Sequence, residues 1–218
     1  MGQLDLFTDA PVDYHKAIEC LARLDTHACR AALERHRRMF PRGTDPRPAL
    51  EAALWLDSLP VAGQDFGPAV LEACRALREG RAPGFKEIGT GIARKAARTL
   101  AARVLSARSG TDLAEPVTLE LPWGVFHLFA GNFASSRSTL ARWAEGHPPA
   151  PTASALAALA LGDALWELER FPEARAAYRD GCGLAPDGAG WRPADPTLAE
   201  LRRRAESDPV FAGDWWAV

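Results

Sequence analysis

A helical period broken by proline and glycine runs through almost all of this chain and leaves little room for a sheet. The one short run with strand alternation is Val117 to Leu121 ("VTLEL"), bounded by Pro116 and Pro122. Elsewhere the spacing predicts helices near Val12–Leu24, Thr26–Phe40, Pro46–Leu59, Gly67–Glu79, Phe85–Ser109, Trp123–Ala130, Ala134–Glu145, Thr152–Arg170, Pro172–Cys182 and Thr197–Ser207. Pro41, Pro148 and Pro186 each stop a helix. Asp25 ahead of "THACRAAL" and Asp195-Pro196 ahead of the last helix supply a side-chain acceptor, the latter with a fixed φ behind it. The expected fold class is all-α.

The bulk numbers narrow the function classes. With 218 residues and 47% apolar content the chain can bury a sizeable core. A formal net charge of −2 argues against wholesale nucleic-acid binding, which needs a strongly basic surface. No apolar run approaches the length of a membrane span, and the first residues lack the basic and apolar regions of a secretory signal. Cys20, Cys29, Cys74 and Cys182 show no C-x-x-C spacing, so they read as reduced, packing cysteines, and the expected location is cytoplasmic.

Internal repetition is the next signal. Residues 155–188 read "ALAALALGDALWELERFPEARAAYRDGCGLAPDG". Through Leu161, Gly162, Leu165, Ala174, Tyr178 and Pro186 this stretch resembles a tetratricopeptide repeat, with Ala158 where that family usually has a large aromatic and Gly181 where it has alanine. At an offset of 38, Gly124 matches Gly162, Phe133 matches Phe171, Arg137 matches Arg175, Leu140 falls on Tyr178 and Pro148 on Pro186. At an offset of 145, Ala17 falls on Gly162, Arg30 on Arg175, Leu33 on Tyr178 and Pro41 on Pro186. Residues 43–115 diverge, although "ALEAALWLDSLP" and "FGPAVLEACRAL" form a further candidate hairpin. The resemblance implies a stack of antiparallel helix pairs over residues 11–218, clearest at 117–150 and 151–188. Gly162 and Ala174 are small where two helices cross, Leu161, Leu165 and Tyr178 fill the seam, and Pro186 ends the second helix. Single pairs cannot bury their apolar faces alone, so neighbours must stack.

Signals for enzyme chemistry are weak, and no catalytic residue, cofactor or metal is assigned. "GTGIARK" (Gly89 to Lys95) lacks the spacing and preceding strand of a phosphate loop and reads as a glycine-loosened helix start. His27, Cys29 and His36 share one helix, but the spacing of the histidines puts them on different faces. In the helix predicted over Phe85–Ser109, Ile88, Ile92, Ala96, Leu100 and Val104 form an apolar stripe, with Arg94, Lys95, Arg98 and Arg108 opposite. Over residues 71–108 nine Lys or Arg stand against three Glu, so Arg94, Lys95 and Arg98 are candidate contacts for DNA phosphates or an acidic partner; the alternative is a solvated face. Arg103 falls within the stripe and is expected to snorkel or to pair with a carboxylate. The tetratricopeptide carboxylate clamp is excluded, since it needs lysines and asparagines on successive first helices and this chain has one asparagine, Asn132, and three lysines. Trp215 and Trp216 near the end read as a cover for the last apolar face or as a partner contact.

The opening residues carry the sharpest motif. Gln3-Leu4-Asp5-Leu6-Phe7 ("QLDLF") resembles, at all five positions, the pentapeptide by which bacterial replication and repair proteins bind the DNA polymerase sliding clamp. The resemblance implies that Gln3 hydrogen-bonds at one subsite and that Leu6 and Phe7 fill an apolar pocket. Residues 1–10 then form a flexible tail, with Thr8-Asp9-Ala10-Pro11 as a spacer. The expected protein is a non-enzymatic interaction module tied to the clamp, its helical body holding a second, unidentified protein. The alternatives are a general scaffold whose tail packs on its own body and a small nucleic-acid binder using the basic helix.

Overall fold

The computed structural model describes residues 9–60, 66–107, 122–146, 150–185 and 190–207. These form eleven helices and, among the described residues, no strand: α1 (Asp9–Ala22), α2 (Thr26–Met39), α3 (Arg47–Asp57), α4 (Phe66–Arg78), α5 (Phe85–Ile88), α6 (Thr90–Ala107), α7 (Trp123–Ala130), α8 (Phe133–Gly146), α9 (Pro151–Glu167), α10 (Phe171–Leu184) and α11 (Pro196–Ser207). The fold class is all-α. The "VTLEL" run, Arg108, Pro148 and Pro186 lie outside the described residues.

Two local expectations are corrected. The helix predicted over Phe85–Ser109 is two helices, because Gly89 takes a φ of 115° that side-chain-bearing residues avoid. Helix α1 starts at Asp9, so Asp9–Pro11 are a first turn and not a spacer. Pro11 is tolerated there because the first amides of a helix have no intrahelical partner to lose.

The chain divides into two compact units, residues 1–103 and 104–218. In the first, alanines dominate the core. Ala17, Leu21, Cys29, Ala32, Ala49, Ala52, Ala53, Leu77, Phe85, Ala93 and Ala96 are sealed from solvent, and Tyr14, Trp55, Ile88, Ile92 and Leu100 pack against them partly buried. Small side chains let the helices come close. A Cβ on Gly84, which precedes α5, would sit 2.1 Å from the Pro48 carbonyl oxygen and 2.6 Å from the Ala52 amide of α3. Helix ends are tied across the unit: Thr26 and Arg30 at the start of α2 both bond Asp57 at the end of α3, each at 2.6 Å. On α6, the Thr99 hydroxyl donates to the Ala22 carbonyl and Arg103 to the Arg23 carbonyl, both at 2.8 Å, covering acceptors left open where α1 ends.

The buried side of α6 is set by Ala93, Ala96, Ala97, Ala101 and Val104, while Ile88, Ile92 and Leu100 of the expected stripe are only half-buried. The pattern is rotated towards the alanines because they admit the neighbouring helix most closely.

In the second unit α7 pairs with α8 and α9 with α10. Its core centres on Trp123, Val125, Phe126, Leu140, Leu159, Tyr178 and Trp191. Burying such side chains is worth about 1.5–3 kcal/mol each.

Three hairpins, α1/α2, α7/α8 and α9/α10, share one turn. Leu24 (φ 58°), Gly131 (φ 83°) and Glu169 (φ 60°) adopt the left-handed conformation at positions related by the sequence offsets of 145 and 38. Each amide bonds three residues back, to Leu21, Leu128 and Trp166. The next amide bonds five back: Asp25 to Cys20, Asn132 to His127 and Arg170 to Leu165. The carbonyls of Asp25, Asn132 and Arg170 then accept the first bond of the following helix. This is a Schellman closure continued directly into a second helix. Gly80 (φ 68°) closes α4 by the same two bonds, but the chain then departs through Gly84 into the short α5.

The crossings recur with the turns. Cys29, Ser136 and Ala174 occupy the crossing of the second helix, all fully buried. A Cβ on Gly162 would lie 2.5 Å from Tyr178 Cδ1 and Cε1, and one on Gly124 would lie 2.3 Å from Leu140 Cγ. Gly162 therefore meets the Tyr178 ring most closely, where the sequence pattern suggests Ala174. A Cβ on Gly181 would lie 2.7 Å from Leu159 Cγ, so even a methyl group is excluded there.

Because a left-handed conformation costs a non-glycine residue about 1–2 kcal/mol, the shared turn gives opposite signs at its copies. Gly131→Ala should lower stability by about 1 kcal/mol, and Glu169→Gly should raise it by about 0.5–1 kcal/mol after the extra entropy of an unfolded glycine. Urea unfolding of both variants checks this; equal signs would contradict the shared geometry.

Candidate interaction surfaces and the buried polar network

The most developed polar constellation is in the second unit. Asp163 follows Gly162 on α9 and is fully buried. Its Oδ1 accepts the Tyr178 hydroxyl at 2.5 Å and the Ala194 amide at 2.7 Å, and its Oδ2 accepts Trp191 Nε1 at 3.0 Å. The Trp191 ring lies 5.8 Å from that of Phe129 on α7, and its carbonyl accepts a bond from Arg202 on α11. Asp195, also fully buried, caps α11 by accepting from Thr197 at 2.8 Å and meets Arg175 of α10 at 3.2 Å. Both carboxylates are occupied by donors and closed to solvent. That arrangement holds residues 190–195 on α9 and α10; it offers no exposed acid or base for chemistry.

The sequence marks Asp195 as a cap but does not mark Asp163 or Trp191. Asp163 is a single carboxylate within the apolar run "ALAALALGDALW", and its donors lie 15 to 31 residues away. Of the seam residues, Gly162, Leu165, Ala174 and Tyr178 are buried, whereas Leu161 is half-buried. Pro186 lies outside the described residues, as do Gln3, Leu4, Asp5, Leu6, Phe7, Trp215 and Trp216.

The histidines separate as their spacing implies, His27 exposed and His36 buried. His36 Nε2 lies 3.3 Å from the Thr44 carbonyl, and its ring sits 5.7 Å from both Tyr14 and Phe40. Among the described residues no group of three or more His, Cys, Asp or Glu is placed to hold a metal. Burial raises the thiol pKa of Cys29 to about 12 and that of Cys182 to about 11, and pushes Cys74 higher still. These thiols stay protonated and weakly nucleophilic at neutral pH. Gly89 of "GTGIARK" separates α5 from α6.

Arg94, Lys95 and Arg98 are all exposed on α6, on the side away from its buried alanines. Arg103 is also exposed, and its guanidinium reaches the Arg23 carbonyl. No described helix is long and apolar enough to cross a membrane.

Replacing Asp163 by alanine removes the acceptor from the buried Tyr178 and Trp191 donors and from the part-buried Ala194 amide, each worth about 1–3 kcal/mol when its bond is lost. Asp163→Ala should therefore cost at least about 3 kcal/mol and loosen Trp191, read as a fall in melting temperature with loss of near-ultraviolet circular dichroism. His127 makes a pH test. Both its ring nitrogens are buried without a partner among the described residues, and burial lowers its pKa below the ordinary histidine value of 6.5. The unfolded chain thus binds the proton more readily. The contribution is fully present above about pH 6.5 and is lost as pH falls towards the folded-state value. His127→Leu, which installs the residue found at the matching position Leu165, should raise the melting temperature more at pH 5.5 than at pH 7.5.

Comparison of the chain with models of known protein families, with curated proteins and with solved structures finds no match.

Proposed function

We propose that the protein is a non-enzymatic interaction scaffold built from tetratricopeptide-like helical hairpins over residues 11–218, tethered through Gln3-Leu4-Asp5-Leu6-Phe7 to a bacterial DNA polymerase sliding clamp in cytoplasmic DNA replication or repair. The observation that carries the scaffold reading is the recurrence of one turn and one small-residue crossing at the two offsets legible in the sequence. Such hairpins expose their outer faces once their seams are filled, and stacked pairs present extended surfaces to partners. A second, unidentified protein binds this helical body. The tether rests on the five-residue agreement with the clamp-binding pentapeptide.

One observation favours the alternative of a general scaffold with a self-packed tail: α1 begins at Asp9, leaving only Thr8 between Phe7 and the helix. A peptide of residues 1–11 should bind a bacterial sliding clamp in the micromolar range, about −8 kcal/mol. Leu6→Ala or Phe7→Ala should remove most of that affinity, as loss of apolar anchors does, and Gln3→Ala should cost about 1–3 kcal/mol. In the full-length chain the double change Leu6→Ala with Phe7→Ala should abolish clamp binding at an unchanged melting temperature. A lower melting temperature together with no clamp binding by the wild type would replace the tether with the self-packed tail.

A further inference from the structure

We infer that the outer face of α6 is a docking surface for the phosphate backbone of double-stranded nucleic acid, contacted through Arg94, Lys95 and Arg98. Three observations carry this. First, α6 contains four basic residues and no Asp or Glu from Thr90 to Ala107. Second, its outward cations are clustered on one helix face without carboxylate partners among the described residues; Arg23, Arg37 and Arg42 of the same unit are also exposed and unpaired among those residues, but they lie on other segments, and several further arginines of the unit are held by acids. Arg30 pairs with Asp57 at 2.6 Å, Arg47 with Asp45 at 2.7 Å, and Arg81 with Glu79 at 2.5 Å and Glu72 at 3.1 Å. Arg94, Lys95 and Arg98 are exposed and, among the described residues, have no side-chain hydrogen bond or ion pair. The nearest acid along the chain is the exposed Glu87 of α5, beyond the Gly89 break.

Third, the rest of this face fits a phosphate backbone better than a protein. Arg94 and Arg98 are one turn apart, hence neighbours on a single face, with Lys95 beside them. Gly91 and Ala102, on the same side, are exposed and small, so a polyanion could approach the helix closely. Large exposed apolar side chains, which anchor protein interfaces, occur at Val12, Met39, Leu54, Phe171 and Leu184 and not on α6. Helix α6 also carries no aromatic residue. Single strands are gripped largely by stacking bases on aromatics, so a face with cations alone favours the duplex, whose charge density is higher and whose bases need not be reached. With three phosphate contacts the binding is weak and independent of sequence. It is compatible with a net charge of −2 because it uses one local face. Nothing in it depends on the N-terminal motif, and its test uses no clamp, so the two readings fail separately.

The test is fluorescence anisotropy of the full-length chain with a mixed-sequence DNA duplex, across salt. The wild type should bind in the micromolar range at about 50 mM salt and weaken on the order of 40-fold by about 200 mM, the change expected for three released counterions. The triple variant Arg94→Gln, Lys95→Gln and Arg98→Gln should bind at least about tenfold more weakly with a nearly flat salt response, at an unchanged melting temperature. The single change Arg98→Glu should act in the same direction. No duplex binding by the wild type at low salt would overturn the inference, as would wild-type affinity in the triple variant. Tighter binding to a single strand, or to an acidic peptide of equal charge, would overturn it in favour of that ligand.

Discussion

The close approach of backbone to side chain at the glycine crossings is the contact on which the second unit depends. At Gly162 there is no room for a methyl group, because the Tyr178 ring lies where it would go. That approach lets the Tyr178 hydroxyl reach Asp163, the very next residue. Asp163 in turn holds Trp191 and the Ala194 amide, and the neighbouring Asp195 opens α11 and meets Arg175. One absent side chain on α9 thus leads, through these five contacts, to the placement of a segment some thirty residues further on. A carboxylate buried without such donors would be too costly to keep.

The first unit solves the same packing problem with alanine. Its crossing at Ala17 and Cys29 matches Gly162 and Ala174 in position, but there is no equivalent of the buried carboxylate network at Leu33. Order comes instead from ties at helix ends, Asp57 to Thr26 and Arg30, and α6 to the carbonyls of Ala22 and Arg23. These contacts use one side of α6 and leave Arg94, Lys95 and Arg98 facing outward. A helix whose inner face is nearly all alanine gains little hydrophobic stabilisation per residue.

The helical scaffold and its repeat offsets were legible in the sequence, because period, caps and chain breakers act locally. All ten predicted helical stretches are helical in their interiors; the stretch from Phe85 divides at Gly89. A glycine inside a periodic run leaves the choice between helix and break to its surroundings. Where α1 starts was not legible either, since a proline in the first turn reads equally as a spacer or as the beginning of a helix. Of the candidate site, the basic face of α6 followed from its period. Asp163 was overlooked because a lone acid on an apolar helix does not announce the donors that will surround it.

By itself the sequence determined the all-α class, the interiors of the helices, the three related hairpins and the outward side of α6. Each of these follows from local φ/ψ preference and from which residues recur every three or four positions. Only the tertiary structure decided that Leu24 and Glu169 would accept the strained turn that Gly131 adopts freely. It also decided that Gly162 would meet Tyr178, and that Asp163 would be buried among donors from α10 and the following segment. Those outcomes rest on the balance between strain or desolvation at one residue and bonds made by others far along the chain, a balance that exists only once the helices are packed.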